Sequence, residues 1–264
     1  MVTYKYWCWL IVGGALFFMS CQSPRKSTYA SRVAVNKLAD SLLRDGLDHE
    51  ALYSLLDSLK PMSSIGDVSF TFLPSSDDSV ALWHQAFQQL STLHSSRQFF
   101  LVPFQRADSA SRSFAGYVVH SARWENIIRQ YADFFRQQGI YPTTPPGQAV
   151  TVIDRLPRHA RWRAYGYLFG YPAYAVDFFV SAGVQQDSTR VFVPRDFRHI
   201  PVFAADSGHF TYAVPKGYPL QPVDSTIAQH AAQVLRRYQA NRHSLFRQTG
   251  WKNSQRWAKK QFNN

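Results

Sequence analysis

The chain is predicted to fold as an α+β protein, with mixed helices around a small, mainly antiparallel sheet. Some stretches place apolar residues at helical spacing, and shorter ones alternate apolar with polar residues. The two kinds are scattered along the chain without the regular βα alternation of a doubly wound sheet. Apolar residues make up 45% and aromatic residues 16% of the 264, enough for a packed core and too many for a disordered chain.

Taken in order, a helix is expected over residues 33–43, with Val35, Leu38, Leu42 and Leu43 on one face and Asp45-Gly46 as its stop. Asp48 is expected to cap a second helix carrying Ala51, Leu52, Leu55, Leu56 and Leu59, ended by Pro61. Residues 67–73 set Val68, Phe70 and Phe72 against Ser69 and Thr71, the alternation of a half-buried strand. From Ser79 a helix aligns Val80, Trp83, Phe87 and Leu90. Strands are expected at 98–104, where Pro103 marks an edge or an end, and at 113–119. Trp124, Ile127, Ile128, Tyr131, Phe134 and Phe135 then give the clearest helical period, closed by Gly139. Helices follow at roughly 148–155, 158–169 and 173–182, strands at 189–203 and 209–214, and a last helix at 224–243 with Ile227, Ala231, Val234, Leu235 and Tyr238 on its apolar face.

The N-terminus addresses location. Lys5 precedes an apolar run from Tyr6 to Met19, shorter than the roughly 20 residues a spanning helix needs and with the length and flanks of a secretory signal. Its end, Phe18-Met19-Ser20-Cys21, resembles the lipobox of bacterial lipoprotein precursors: a bulky apolar residue at −3, a small one at −1 and cysteine at +1, with Met19 where a small residue is usual. The resemblance implies cleavage after Ser20 and acylation of Cys21 by a diacylglyceryl group and a further chain such as palmitate, which would hold the protein on a membrane. An uncleaved anchor and an ordinary secretory signal are the alternatives. Gln22 is not the aspartate that retains some lipoproteins at the inner membrane, so the outer membrane of the cell envelope, with the body in the periplasm or at the cell exterior, is favoured. Cys8 leaves with the signal, so no disulfide within the mature chain is expected. The expected organisation is a signal peptide at 1–20, a lipidated tether at 21–32, one α+β globular domain at 33–243 with a possible sub-boundary at the YPTTPPG stretch of 141–147, and a basic aromatic tail at 244–264.

The formal net charge is +12, and it is unevenly placed. After Asp224 there is no acidic residue, while Arg236, Arg237, Arg242, Arg247, Lys252, Arg256, Lys259 and Lys260 follow. A second concentration is Arg155, Arg158, Arg161 and Arg163 with His159. Such fields favour polyanions. Given the export signal, the expected partners are anionic lipids, lipopolysaccharide phosphates, acidic glycans or an envelope protein, and not nucleic acid.

The most distinctive string is Tyr165-Gly-Tyr-Leu-Phe-Gly-Tyr-Pro172. Gly170 suits the end of one helix and Pro172 the first turn of the next, so a tight helix–turn–helix corner is expected. The G-x-L-x-G-Y-P pattern before an apolar helix is similar to turns in uncharacterised bacterial and archaeal families. The functional reading of this corner is a pocket where Tyr167, Tyr171 and Asp177 meet Arg161 or Arg163, suited to a sugar or an anionic small molecule. In the tail, Arg247, Trp251, Lys252, Arg256, Trp257, Lys259 and Lys260 interleave aromatics with cations, a pattern for membrane or polyanion contact or for a solvated terminus. Residues 195–199 (RDFRH) read as a solvated strand face and 206–209 (DSGH) as a hairpin turn. No HExxH, GxSxG or GxxxxGK[ST] motif occurs, and neither a metal site nor a cofactor is expected. The body is similar to uncharacterised bacterial lipoproteins. The expected function is a non-enzymatic binding module in the envelope, with a hydrolase whose residues converge only in the fold, or a scaffold subunit, as alternatives.

Overall fold

A computed structural model describes residues 25–71, 77–103 and 111–262. The expected signal, Cys21 and the start of the tether lie outside them, as do the last two residues of the strand expected at 67–73 and Phe104 at the end of that at 98–104. The protein is α+β. Its elements run α1 (Arg25–Asp48), α2 (Leu52–Leu55), β1 (Met62–Thr71), α3 (Asp77–Leu90), β2 (Arg97–Pro103), β3 (Ser111–His120), α4 (Ser121–Gln130) and α5 (Ala132–Gln137). They continue with α6 (Pro146–Asp154), α7 (Arg158–Leu168), α8 (Ala173–Thr189), β4 (Arg195–Ile200), β5 (Phe210–Pro215), α9 (Pro222–Phe246) and α10 (Trp251–Phe262).

Among the described residues the strands form two antiparallel sheets, ordered β1-β3-β2 and β4-β5. The first sheet separates two cores, because side chains alternate across a strand. On β3, Val118 enters a core shared by α1, α2, α3, β4, β5, α9 and α10. Its neighbours Tyr117 and Val119 enter the other, built with α4 to α8. Both cores are assembled from residues between Ala39 and Ala258.

Several expectations are corrected. The tether is helical from Arg25, and α1 passes through Asp45-Gly46 without stopping. Gly46 is there for close approach: a Cβ on it would lie 2.9 Å from the Ile65 side chain, so it lets α1 pack directly on β1. The second helix is a single turn. Asp48 does not cap it; its carboxylate accepts from Tyr238 Oη and from Arg242, tying α1 to α9. β1 begins five residues earlier than expected and shifts register between Ser64 and Asp67. The expected long helix after Ser121 breaks at Tyr131 into α4 and α5. The 141–147 stretch is a turn within one core, since Ile140 before it and Val150 after it share the same cluster. α8 runs to Thr189, seven residues past its expected end.

The tail also differs from expectation. α9 extends to Phe246, and α10 folds back onto α1 and α9 with Trp251, Ser254, Trp257 and Ala258 buried. Arg44 donates to the carbonyls of Leu245 and Gln248 and to Ser254 Oγ, and Trp257 Nε1 donates to Ser244 Oγ at 3.0 Å. Trp251 and Trp257 are therefore core residues, not surface anchors. Six residues apart, they stand about 120° from each other around α10, at the two edges of a buried stripe that holds Ser254 and Ala258 between them.

Candidate ligand pocket and cationic face

The corner forms as expected: α7 ends at Leu168, Gly170 adopts φ +77°, and Tyr171 N donates to the carbonyl of Gly166 at 3.0 Å before α8 starts behind Pro172. The residues expected to converge there divide between two sides. Arg163, one turn before Tyr167 on α7, donates to the Tyr167 hydroxyl at 3.1 Å and ion-pairs with Asp177 on α8. These three meet, but they satisfy one another. The Tyr167 ring stacks on Tyr131 at 3.7 Å between centroids and abuts Phe134 and Phe135, which plug this side. Arg161 turns elsewhere and donates to the carbonyl of Asp154.

Tyr171 faces the other way. It stacks against Phe169, Phe210 and Tyr212 at 5.8–6.1 Å and lines a cavity of about 320 Å³ between α7, α8 and the β4–β5 hairpin. The wall is mostly aromatic: Trp162 and Tyr165 come from α7, Phe169 from the residue that caps it, Phe179 from α8, and Phe197 and Tyr212 from the hairpin, with Gly166, Ala175, Val176, Thr211 and Ala213 between them. Helix spacing places 162, 165/166 and 169 on one face, and Phe197 lies opposite Ala213 in the hairpin register. This volume is at the small end of ligand pockets, and its apolar lining is typical of them.

Most polar groups in the wall are already engaged. Tyr165 Oη donates to Asp154 Oδ1 at 2.5 Å; burial, and then Tyr117, push the phenol's pKa up, while burial raises the Asp154 carboxyl. Tyr212 Oη donates to the buried Asp224 at 2.7 Å, and Thr211 Oγ1 shares a 2.9 Å bond with His199. Behind the rings lies Lys60, fully buried and ion-paired to Glu50 at 2.7 Å. Its Nζ sits over Phe210, Phe169 and Tyr171 at 4.5, 5.2 and 5.9 Å. Burial pulls the ammonium pKa down, and Glu50 offsets part of that.

The second feature is the outer face of α10. Lys252, Arg256, Lys259 and Lys260 are exposed at i, i+4, i+7 and i+8, one stripe opposite the buried tryptophans. Arg247, just beyond α9, is exposed but lies outside the stripe. The start of α10 and the N-terminal half of α1 share an open groove in which Ser31, Arg32 and Val35 face Trp251, Lys252 and Gln255.

The site residues that sequence reasoning missed are Trp162, Phe179, Phe197, Tyr212 and Lys60. Helical spacing could have grouped the α7 members, but nothing local brings the hairpin over them. Among the described residues, no group of three or more His, Cys, Asp or Glu side chains is placed to hold a metal ion. No described helix is long and apolar enough to cross a membrane. Compared with known proteins, the chain matches no family model, and no curated protein or solved structure shows significant similarity to it.

Proposed function

We propose that this chain is a cell-envelope binding module, held on a membrane by an acylated Cys21 and docked against an anionic surface by the outer face of α10. The observation that carries the reading is the cationic stripe at 252, 256, 259 and 260. Its position supports the same reading. Four residues from Cys21 to Arg25 reach at most about 14 Å, and about 10 Å of helix then leads to Arg32, which shares a groove with Lys252. A lipid at Cys21 therefore keeps the stripe near the bilayer. Each cation near an anionic surface contributes about 1 kcal/mol, so four supply about 4 kcal/mol beside the lipid.

Two measurements test this. Labelled palmitate should enter the full chain and fail to enter Cys21→Ser; equal labelling ends the anchor reading. The chain from Gln22 onward, which contains both cores entire, should sediment with phosphatidylcholine vesicles containing phosphatidylglycerol and not with phosphatidylcholine alone, less so as salt rises. Changing all four stripe residues to Gln should weaken that binding several hundredfold, at about 1.4 kcal/mol per factor of ten. Binding indifferent to lipid charge, or to the four substitutions, refutes the docking face.

The hydrolase alternative would need a carboxylate such as Asp177 or Asp196 within hydrogen-bond reach of a histidine. Asp177 pairs with Arg163, and Asp196 accepts from Lys216 Nζ and Gly217 N at 2.7 Å. Neither pairing supports acid–base chemistry.

A further inference from the structure

Beside the aromatic cavity stands Arg195, two residues before the lining Phe197 and so on the same face of β4. Its guanidinium lies 5.7 Å from the ring of Phe179, which lines the cavity, and 4.7 Å from the exposed Phe192. No carboxylate pairs with it among the described residues; the neighbouring Asp196 is held by Lys216 and Gly217. Phe192 and Phe197 are 59% and 52% exposed, so apolar surface continues outward from the cavity past this arginine. The guanidinium is not free of bonds, since its Nε donates to the Val193 carbonyl at 3.2 Å, but it has no ion pair. An apolar cavity beside such a cation is complementary to a molecule with an apolar body and a single acidic head.

The walls argue against other ligands. A sugar carries many hydroxyls, yet the hydroxyls of Tyr165, Tyr212 and Thr211 are all engaged, and only that of Tyr171 makes no hydrogen bond with a described residue. Most of a sugar's polar groups would be buried without partners. This lining favours an anionic small molecule over a sugar, the two ligands considered for the corner. An organic cation would meet like charge there, with Arg195 over the Phe179 ring and Lys60 behind Phe169 and Tyr171.

We infer that the cavity between α7, α8 and the β4–β5 hairpin binds an amphipathic monoanion of the fatty-carboxylate kind, its apolar body among Trp162, Phe179 and Phe197 and its head on Arg195. This deepens the binding-module reading yet rests on the cavity alone, so loss of vesicle docking and loss of this site are separate results.

The test displaces a neutral fluorescent probe, N-phenyl-1-naphthylamine, from the chain beginning at Gln22, using three competitors with the same tail: laurate, dodecanol and dodecyltrimethylammonium. Laurate is expected to displace it at about tenfold lower concentration than dodecanol, the factor a charge-assisted hydrogen bond supplies, with the cation weakest. Arg195→Gln should erase the laurate advantage and leave dodecanol unchanged. Ala213→Trp, which fills the cavity, should abolish probe binding while near-ultraviolet circular dichroism shows an intact fold. Equal potency of laurate and dodecanol, an advantage that survives Arg195→Gln, or probe binding that survives Ala213→Trp each overturns the inference. Laurate added as free acid should compete, while the same chain esterified in lecithin vesicles should not; competition by the vesicles alone would assign the site to membrane lipid instead.

Discussion

Replacing Glu50 with glutamine should strand a charge inside the protein. Lys60 is fully buried, and its Nζ meets one carboxylate oxygen, Glu50 Oε2, at 2.7 Å. The other oxygen accepts from Ser64 N at 3.2 Å. A glutamine keeps one acceptor, so its NH₂ must face either the ammonium or the Ser64 N–H, donor against donor. Three aromatic faces surround the ammonium, but rings do not replace a carboxylate. Breaking a buried pair by removing one partner costs about 3–5 kcal/mol, and the partial exposure of Glu50 places this case near 3 kcal/mol. Lys60→Met removes the buried charge in a similar volume and leaves Glu50 bonded to Ser64 and partly hydrated, costing about 1 kcal/mol. In the Lys60→Met background, Glu50→Gln should then cost less than about 1 kcal/mol, a coupling measured by urea unfolding of all four proteins. An equal cost of Glu50→Gln in both backgrounds would refute the view that the pair acts as a unit.

Other outcomes follow from the packing and the titration of particular groups. Trp257→Ala should destabilise by about 3–5 kcal/mol in the same assay, whereas a solvated tail would change stability by less than about 0.5 kcal/mol. His120 caps α4 by accepting from Arg123 N at 3.4 Å, and burial, then Arg97, lower its pKa to about 4 from 6.5. The unfolded chain therefore takes up the proton first. This group's contribution, about 2 kcal/mol after allowance for partial exposure, is complete above pH 6.5 and lost as pH falls towards 4. His120→Gln should flatten that segment of the stability profile, and an unchanged slope would count against it. The vesicle and laurate measurements add the two functional predictions.

Read by itself, the chain determined much of its local structure. Periodicity located α3, α4, α6, α7 and α9, alternation located β1, and Pro103 marked the end of β2, because each depends on residues a few positions apart. The corner at Gly170 and the cationic sequence after Asp224 were legible for the same reason. Where tertiary contacts compete with local preference, reading failed. Gly46 looked like a stop because its role depends on Ile65, and Asp48 looked like a cap because its true partners, Tyr238 and Arg242, lie some 190 residues away. The tail illustrates both cases: its cations were correctly seen as a pattern, but only the fold decided that Trp251 and Trp257 turn inward. The pocket was the least accessible feature. Tyr171 was named with Tyr167, but the hairpin that roofs it, and Arg195 beside it, are brought there by packing between segments that no short-range pattern links.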